Sequence, residues 1–235
     1  GNISRAEHVF QSLHEPDVVS WNAMLSAYVE HGKAGKGLQL YREMRKNDEN
    51  PNKLTYVICL QACGSLADDE DGKFPKLASL DIGQAFHVEI WKKGLLSDVV
   101  MDSALVSMYG KCGRIVDAED VFYGMKKRNL VSWNAMMSAY VDHHQPRKAL
   151  SIYRQMCAEC LVTDERSFVI ALQACCGLAR NENEVAGISP SQKVEALEIG
   201  RGLHADARRK GFSSNAYVCN SLLSIYERCG EISIA

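Results

Sequence analysis

The chain has 235 residues, of which 46% are apolar and 24% are charged, a composition typical of a folded globular protein. No apolar run approaches the roughly 20 residues that cross a bilayer, so the sequence predicts no membrane partner. The formal net charge of −2 excludes a polycation, so binding to nucleic acid would need base contacts or a local basic face.

Amphipathic segments recur along the chain with apolar residues at positions i, i+3, i+4 and i+7, the stripe of a helix about three turns long. Four of them, in chain order, are Ala6-Val9-Phe10-Leu13, Trp21-Met24-Leu25-Tyr28, Ala118-Val121-Phe122-Met125 and Ala149-Ile152-Tyr153-Met156. Gly32, Gly94, Gly113 and Gly211 stand where turns between helices are needed. No stretch alternates with period two, so the pattern predicts helices and no strands.

The chain also repeats itself over a long period. Residues 18–31, VVSWNAMLSAYVEH, recur 112 residues later as residues 130–143, LVSWNAMMSAYVDH, with 11 of 14 positions identical. Further pairs are 60–63 (LQAC) with 172–175 at the same offset, then 80–83 (LDIG) with 197–200 and 111–113 (KCG) with 228–230 (RCG) at an offset of 117. Since one helical hairpin cannot bury its own apolar face, the repetition predicts stacked hairpins.

These blocks resemble the pentatricopeptide repeat family, in the plant subclass that alternates P, L and S motifs. The resemblance extends over essentially the whole chain and implies an all-α, right-handed α-solenoid superhelix of stacked helix-turn-helix repeats. It divides the chain into a partial S motif at 1–17, a P motif at 18–52, an L motif at 53–98, an S motif at 99–129, a P motif at 130–164, an L motif at 165–215 and a partial S motif at 216–235.

Both L motifs are longer than is usual in the family. The excess, Gly64–Ser79 and Arg180–Glu195, is predicted to form inserted loops exposed to solvent. The acidic run 68–71 in the first insert leaves a partner-docking loop as an alternative. Because residue 1 is not methionine and both ends interrupt a motif, we expect a piece of a longer protein.

By resemblance, the chain binds single-stranded RNA and each motif selects one base. One selecting side chain lies near the start of the first helix, and the other is the last residue of the motif. The implied pairs are Asn22 with Asn52, Val57 with Asp98, Ser103 with Asn129, Asn134 with Asp164 and Val169 with Asn215, while Asp17 closes the first partial motif and Asn220 opens the last.

The chemistry of these side chains suits base selection to different degrees. Asn offers both a donor and an acceptor to a base edge, whereas Val57 and Val169 cannot hydrogen-bond and are expected to add packing or spacing. The resemblance implies U for Asn134 with Asp164, a pyrimidine for Asn22 with Asn52, and A for Ser103 with Asn129. The polar members are expected on one concave face.

Two structural alternatives remain open for these helix starts. Asn22 and Asn134 stand where polar residues cap free N–H groups, so either could be a helix cap. Trp21 and Trp133 could stack on bases, although their place on the apolar stripe favours core packing.

The sequence carries no complete enzyme signature, and we predict no catalytic residue, metal, cofactor or small-molecule substrate. His87-Val88-Glu89 and Cys157-Ala158-Glu159-Cys160 imitate parts of a zinc deaminase signature, but Met156 stands where proline is required. The resemblance implies a site in mitochondrial or chloroplast RNA that is selected for processing or C-to-U editing, with RNA-editing accessory proteins as further partners. The alternative is a helical-repeat scaffold that binds proteins.

Overall fold

The computed structural model describes residues 3–68, 76–96, 98–159, 161–179 and 190–230. In these residues the chain forms twelve α-helices and no β-strand, which confirms the predicted all-α fold. The helices are α1 (Ile3–Gln11), α2 (Val18–Glu30), α3 (Ala34–Lys46), α4 (Lys53–Ala67), α5 (Lys76–Lys92), α6 (Val99–Lys111), α7 (Ile115–Gly124), α8 (Leu130–Asp142), α9 (Pro146–Ala158), α10 (Glu165–Leu178), α11 (Pro190–Arg209) and α12 (Ala216–Cys229). None of these helices combines the length and apolar character that a bilayer crossing requires.

The chain divides into two compact units, Gly1–Arg128 and Asn129–Ala235. In the first unit, α2 with α3, α4 with α5 and α6 with α7 form helical hairpins, and α1 packs against α2. The first helices of these hairpins, α2, α4 and α6, also pack side by side. They therefore form one layer, and the second helices cover it.

The second unit is built in the same way. Helices α8 and α9 form one hairpin, α10 and α11 form the next, and α12 packs against both α10 and α11. The first helices α8, α10 and α12 again lie side by side.

The apolar stripes of the first helices form the cores of these layers. Trp21, Met24 and Leu25 of α2 are buried, as are Trp133 and Met136 of α8. The stripe predicted for α1 is wrong at two positions, since Val9 is exposed and Leu13 lies beyond the end of the helix. Among the described helices, α1 packs only against α2, so its Val9 side has no helix to cover it.

The predicted inserts overlap with helices. Helix α4 continues to Ala67 and α5 begins at Lys76, so both ends of the predicted insert 64–79 are helical. Helix α11 begins at Pro190, inside the predicted insert 180–195. Residues 69–75 and 180–189, which include residues 69–71 of the acidic run, lie outside the described residues.

The contact between each long second helix and the next first helix depends on a glycine. A Cβ atom built on Gly83 of α5 would lie 2.5 Å from Met108 Sδ of α6. A Cβ atom on Gly200 of α11 would lie 2.9 Å from Ile225 Cγ2 of α12. Four residues after each glycine, a histidine of the second helix contacts a tyrosine of the same first helix. Nδ1 of His87 lies 2.8 Å from the Tyr109 hydroxyl, and Nδ1 of His204 lies 2.8 Å from the Tyr226 hydroxyl. The repeated sequence IG…H therefore specifies a close helix crossing.

We expect Gly200→Ala to lower the free energy of unfolding by about 1–3 kcal/mol, because the branched Ile225 side chain cannot move away from the added methyl group without strain. The matched control is Gly202→Ala on the same helix, where an added Cβ meets no atom within 4 Å. There alanine should raise the free energy of unfolding by about 0.5–1 kcal/mol, since glycine weakens a helix interior. Urea unfolding of both variants measures the difference. Equal effects would contradict the close crossing.

Candidate nucleic-acid interface

Every first helix described in full begins with the same type of cap. The residue before the helix has an extended backbone, and its side-chain oxygen accepts a hydrogen bond from a backbone N–H of the first turn, which satisfies a donor without a partner inside the helix. These cap residues are Asp17, Asn52, Asp98, Asn129, Asp164 and Asn215. They are also the six motif-end residues that the sequence predicted to contact bases. One side chain thus ends a motif and begins the next first helix.

The alternative that Asn22 and Asn134 cap their helices is wrong. Asp17 caps α2 and Asn129 caps α8, and the two asparagines are the fifth residues of those helices. We call the residue at this position of a first helix its fifth residue, and we name the third residue in the same way.

In the first unit, Asn22 and Asn52 belong to one hydrogen-bonded cluster. Asn22 Nδ2 donates to Asn52 Oδ1 at 3.1 Å, and the Thr55 hydroxyl donates to Asn22 Oδ1 at 2.8 Å. Asn52 Oδ1 also accepts from the backbone N–H of Thr55 at 3.0 Å, while the Asn52 backbone N–H donates to the Thr55 hydroxyl at 3.1 Å. The fifth residue, the cap of the next helix and its third residue are therefore held together.

In the second unit, Asn134, Asp164 and Ser167 form the same cluster. Asn134 Nδ2 donates to Asp164 Oδ1 at 3.3 Å. The Ser167 hydroxyl lies 2.8 Å from Asn134 Oδ1 and 2.7 Å from Asp164 Oδ1, so two acceptors share its hydrogen. Burial raises the pKa of Asp164, but the hydrogen bonds from Ser167 and Asn134 outweigh it and hold that pKa below its ordinary value. Asp164 is therefore a carboxylate at neutral pH.

The two clusters leave different atoms for an outside partner. Both use Oδ1 of the cap residue. Among the described residues, no hydrogen bond uses Nδ2 of Asn52 or Oδ2 of Asp164. Asn52 therefore offers a donor, whereas Asp164 offers only an acceptor.

The fifth residues are less accessible than the sequence suggested. Asn22, Ser103 and Asn134 were expected to line an open concave face, but their exposed fractions are 4%, 2% and 4%. The Ser103 hydroxyl donates to the carbonyl oxygen of Val99 on its own helix. The expected exposure of these three side chains is therefore wrong. Asn22 and Asn134 are hydrogen-bonded to the next hairpin, and Ser103 to its own helix.

The other predicted residues are arranged differently from these clusters. Val57 and Val169 are half-buried and cannot bond to their caps. Asp98 caps α6 and pairs with Lys53 at 2.8 Å, and the hydrogen bond from Lys53 lowers the pKa of Asp98. Asn220 is an exposed fifth residue of α12. It lines a groove of 910 Å³ between α8, α10 and α12, together with Gln173, Ser224 and Arg228.

Comparison with known proteins agrees with this repeat architecture. A model of the PPR repeat family matches residues 16–65 and 128–177, and a PPR repeat model matches residues 103–130. The chain belongs to the pentatricopeptide repeat family.

Curated relatives of this pentatricopeptide repeat chain are found in Arabidopsis thaliana. The chloroplastic pentatricopeptide repeat-containing protein At1g11290 is 32% identical over 99% of this chain and 26% of its own length. The chloroplastic protein CRR2 is 38% identical over 74% of this chain and 25% of its own length. The mitochondrial protein At3g09040 is 29% identical over 99% of this chain and 20% of its own length. The chain thus spans about a quarter of these relatives.

Two solved structures have a similar fold. The pentatricopeptide repeat protein PPR10, in complex with an 18-nt psaJ RNA element, superposes with a TM-score of 0.63 at 16% identity, over 99% of this chain and 30% of its own. Nuclear proteinaceous RNase P 2 of A. thaliana superposes with a TM-score of 0.51 at 13% identity, over 81% of this chain and 43% of its own. At these identities the likeness shows the fold alone.

In each unit of this pentatricopeptide repeat chain, a row of exposed side chains was not predicted from the sequence. The second residue of five first helices is a large apolar side chain exposed to solvent, and Arg166 occupies that position in α10. The exposed fractions are 68% for Val19, 54% for Leu54, 55% for Val100, 62% for Val131 and 70% for Tyr217. The sequence contained the signal, an apolar residue two positions after every motif-end Asp or Asn except Asp164.

The remaining candidates have structural partners or no site around them. Trp21 and Trp133 are buried, and Trp21 Nε1 donates to the Pro16 carbonyl oxygen at 2.9 Å, so both indoles pack in the core. Glu89 accepts hydrogen bonds from the hydroxyls of Tyr41 and Tyr56. No group of three His, Cys, Asp or Glu residues that could hold a metal occurs within the described ranges. Residue 160, the second cysteine of the CxxC pair, lies outside those ranges.

The lowered pKa of Asp164 predicts a pH-dependent contribution to stability. A carboxyl with a lowered pKa in the folded state stabilises the fold above its unfolded pKa, about 3.9, and this stabilisation is lost as the pH falls through the folded pKa. We expect Asp164→Asn to lower the melting temperature at pH 7 and to have a smaller effect at an acidic pH below the lowered pKa of Asp164.

Thermal unfolding of the wild type and Asp164→Asn at both pH values measures this change. Glu165→Gln is the matched control, because it removes a charge from the next residue and leaves the cluster in place. A pH-independent difference for Asp164→Asn would show that the charge of Asp164 contributes nothing.

Proposed function

We propose that this chain holds a single strand of RNA along its first helices and selects bases through pairs formed by a fifth residue and the next cap residue. The observation that carries the proposal is the repeated cluster, which joins Asn22 to Asn52 and Asn134 to Asp164. A helix cap alone needs no bond to a side chain 30 residues earlier. The bond orients the cap side chain, and an oriented polar atom can distinguish one base edge from another.

The Asn134–Asp164 pair suits uridine. The atom left by the cluster is a carboxylate oxygen, Oδ2 of Asp164, which can only accept. The Watson–Crick edge of U presents an N3–H donor, whereas C presents an unprotonated N3 acceptor at that place. An ionised carboxylate therefore favours U and repels C, which agrees with the preference implied by the family resemblance.

The Asn22–Asn52 pair suits cytidine, because the atom left by its cluster is the Nδ2 donor of Asn52. This donor matches the N3 acceptor of C. By resemblance, Ser103 with Asn129 selects A, and Val57 gives its motif no hydrogen bond to a base. With the 5′ end at the N-terminal motifs, the expected core of the RNA is pyrimidine, any base, A, U.

The exposed apolar row provides the second part of the interface. Val19, Leu54, Val100 and Val131 each lie three positions before a fifth residue, which is within one helical turn. Apolar and aromatic side chains pack against base faces with little dependence on base identity. This row would therefore support bases whose edges contact the cap residues, and it lets a chain with a net charge of −2 bind RNA without relying on phosphate contacts alone.

For the longer protein, we propose that these motifs choose a site in organelle RNA for processing or C-to-U editing. The relatives named chloroplastic or mitochondrial support an organelle location, and the RNA in the PPR10 complex supports single-stranded RNA as the partner. Any domain that converts C to U would lie elsewhere in the protein or in an accessory partner.

Exposed apolar side chains on one second helix favour the alternative function, a scaffold for proteins. Leu77, Val88 and Trp91 are exposed on the second helix α5, whereas Arg208 takes the place of Trp91 on α11. If the chain binds no RNA of any base sequence, base selection is refuted and the protein scaffold is the function that remains.

The base-selection proposal predicts that Asp164→Asn changes the preferred base from U to C, since the variant pair then matches Asn22 with Asn52. We expect the ratio of affinities for U and C at that position to change by about tenfold or more. Fluorescence-anisotropy titrations with RNAs that differ only in this base measure the ratio. Asp98→Asn is the control, because its partner Val57 makes no hydrogen bond. An unchanged preference for U would contradict the assignment of Asp164.

The proposed packing of exposed apolar side chains against bases predicts a different result for Val131→Ser than for Asp164→Asn. Affinity should fall by about fivefold or more for every RNA, with base preference unchanged, because a base face loses its packing partner. The control is Val116→Ser on the second helix α7, where the valine is equally exposed but lies outside the first-helix layer. Equal effects of the two substitutions in the titrations would contradict the role of the exposed row.

A further inference from the structure

Two buried hydroxyls lie at the centre of the clusters that join fifth residues to caps. Thr55 and Ser167, the third residues of α4 and α10, are completely buried. Each hydroxyl lies within hydrogen-bond distance of both side chains of a pair: Thr55 of Asn22 and Asn52, and Ser167 of Asn134 and Asp164. Neither hydroxyl was a candidate from the sequence.

The choice of third residue follows the chemistry of the preceding fifth residue. Where the fifth residue is Asn22 or Asn134, the next third residue is Thr55 or Ser167. Where the fifth residue is valine, as in α4 and α10, the next third residue is Met101 or Val218. The caps Asp98 and Asn215 nonetheless bind the backbone of their helices through Oδ1. A capped helix therefore needs no hydroxyl at its third residue. The hydroxyl occurs at the third residue where the fifth residue of the preceding first helix is asparagine.

The hydroxyl of the third residue supplies a donor to the amide oxygen of the fifth residue. Oδ1 of the cap accepts from the backbone N–H of the third residue. The same oxygen also accepts from the amide nitrogen of the fifth residue. The amide nitrogen of the fifth residue faces this cap oxygen, and the amide oxygen faces the hydroxyl of the third residue. This oxygen is buried with the side chain, and the hydroxyl hydrogen is its donor. Removing the hydroxyl would leave a buried acceptor unpaired and the amide free to reorient.

We propose that Thr55 and Ser167 are positioning residues for base selection: each hydroxyl fixes the orientation of the fifth-residue amide and of the cap side chain whose outer atom contacts the base. This inference rests on the proposed function and assigns part of the selectivity to residues that touch no base. It separates two properties of a motif, namely whether it binds a base and how strictly it chooses one.

The test compares Ser167→Ala with Ser167→Thr and Ser20→Ala in the whole chain. Ser20 is a matched control, since its hydroxyl and backbone N–H bind the cap Asp17 in the same way, yet within the described residues no hydrogen bond joins Asp17 to a fifth residue. The readout is the ratio of affinities for two RNAs with U or C opposite Asn134 and Asp164. We expect Ser167→Ala to reduce this ratio by roughly fivefold or more, with Ser167→Thr and Ser20→Ala close to the wild type.

A second readout needs no RNA. Because the Ser167 hydroxyl helps to lower the pKa of Asp164, that pKa should rise in Ser167→Ala and return in Ser167→Thr, as followed by NMR of the Asp164 carboxyl carbon. Ser20→Ala should not change it.

The outcomes separate this inference from the proposed function. A wild type that binds U and C equally would refute base selection by this pair. A selective wild type whose ratio survives in Ser167→Ala, while melting temperature and overall affinity fall as in Ser20→Ala, would overturn the positioning role and leave base selection standing. Loss of the ratio in Ser167→Ala together with recovery in Ser167→Thr supports the inference.

Discussion

The hydrogen bond between a cap oxygen and the backbone N–H groups of a first helix organises both the fold and the candidate interface. It begins each first helix at an Asp or Asn, and it commits one oxygen of that side chain to the helix. In Asn52 and Asp164 the second polar atom of the side chain makes no hydrogen bond among the described residues, and we propose that this atom contacts RNA. Because these two caps also bond to the fifth residue of the preceding first helix, the contact between those neighbouring hairpins and the orientation of that atom depend on the same hydrogen bonds.

The hairpins with valine as fifth residue are adapted to a different physical task. Gly83 and Gly200 allow close crossings with the next first helix, and His87 and His204 lie within hydrogen-bond distance of tyrosine hydroxyls in that helix. Burial lowers the pKa of both histidines, which favours their neutral form in the packed interior. The polar clusters thus begin in the two hairpins that have asparagine as fifth residue, and the glycine crossings lie in the two that have valine.

Much of this architecture follows from the sequence alone, because its causes are local. The 3.6-residue period of the apolar stripes and the glycines at turns require only neighbouring residues, and they predicted helical hairpins throughout the described chain. The offset of 112 residues between the two copies located the equivalent residues Asn22 and Asn134. The pairing of each fifth residue with a motif end came from resemblance, and the structure brings two such pairs into contact.

Tertiary packing decided which atoms of these residues are accessible. Asn22 bonds to Asn52 and Thr55, and Asn134 bonds to Asp164 and Ser167, across 30 and 33 residues of chain. The sequence could identify polar side chains at these positions but not their burial, since burial depends on how closely one hairpin approaches the next. For the same reason the valines at second positions are exposed although their residue type favours a core. Periodicity determines the face of a helix, and only the neighbouring helix determines whether that face meets protein or solvent.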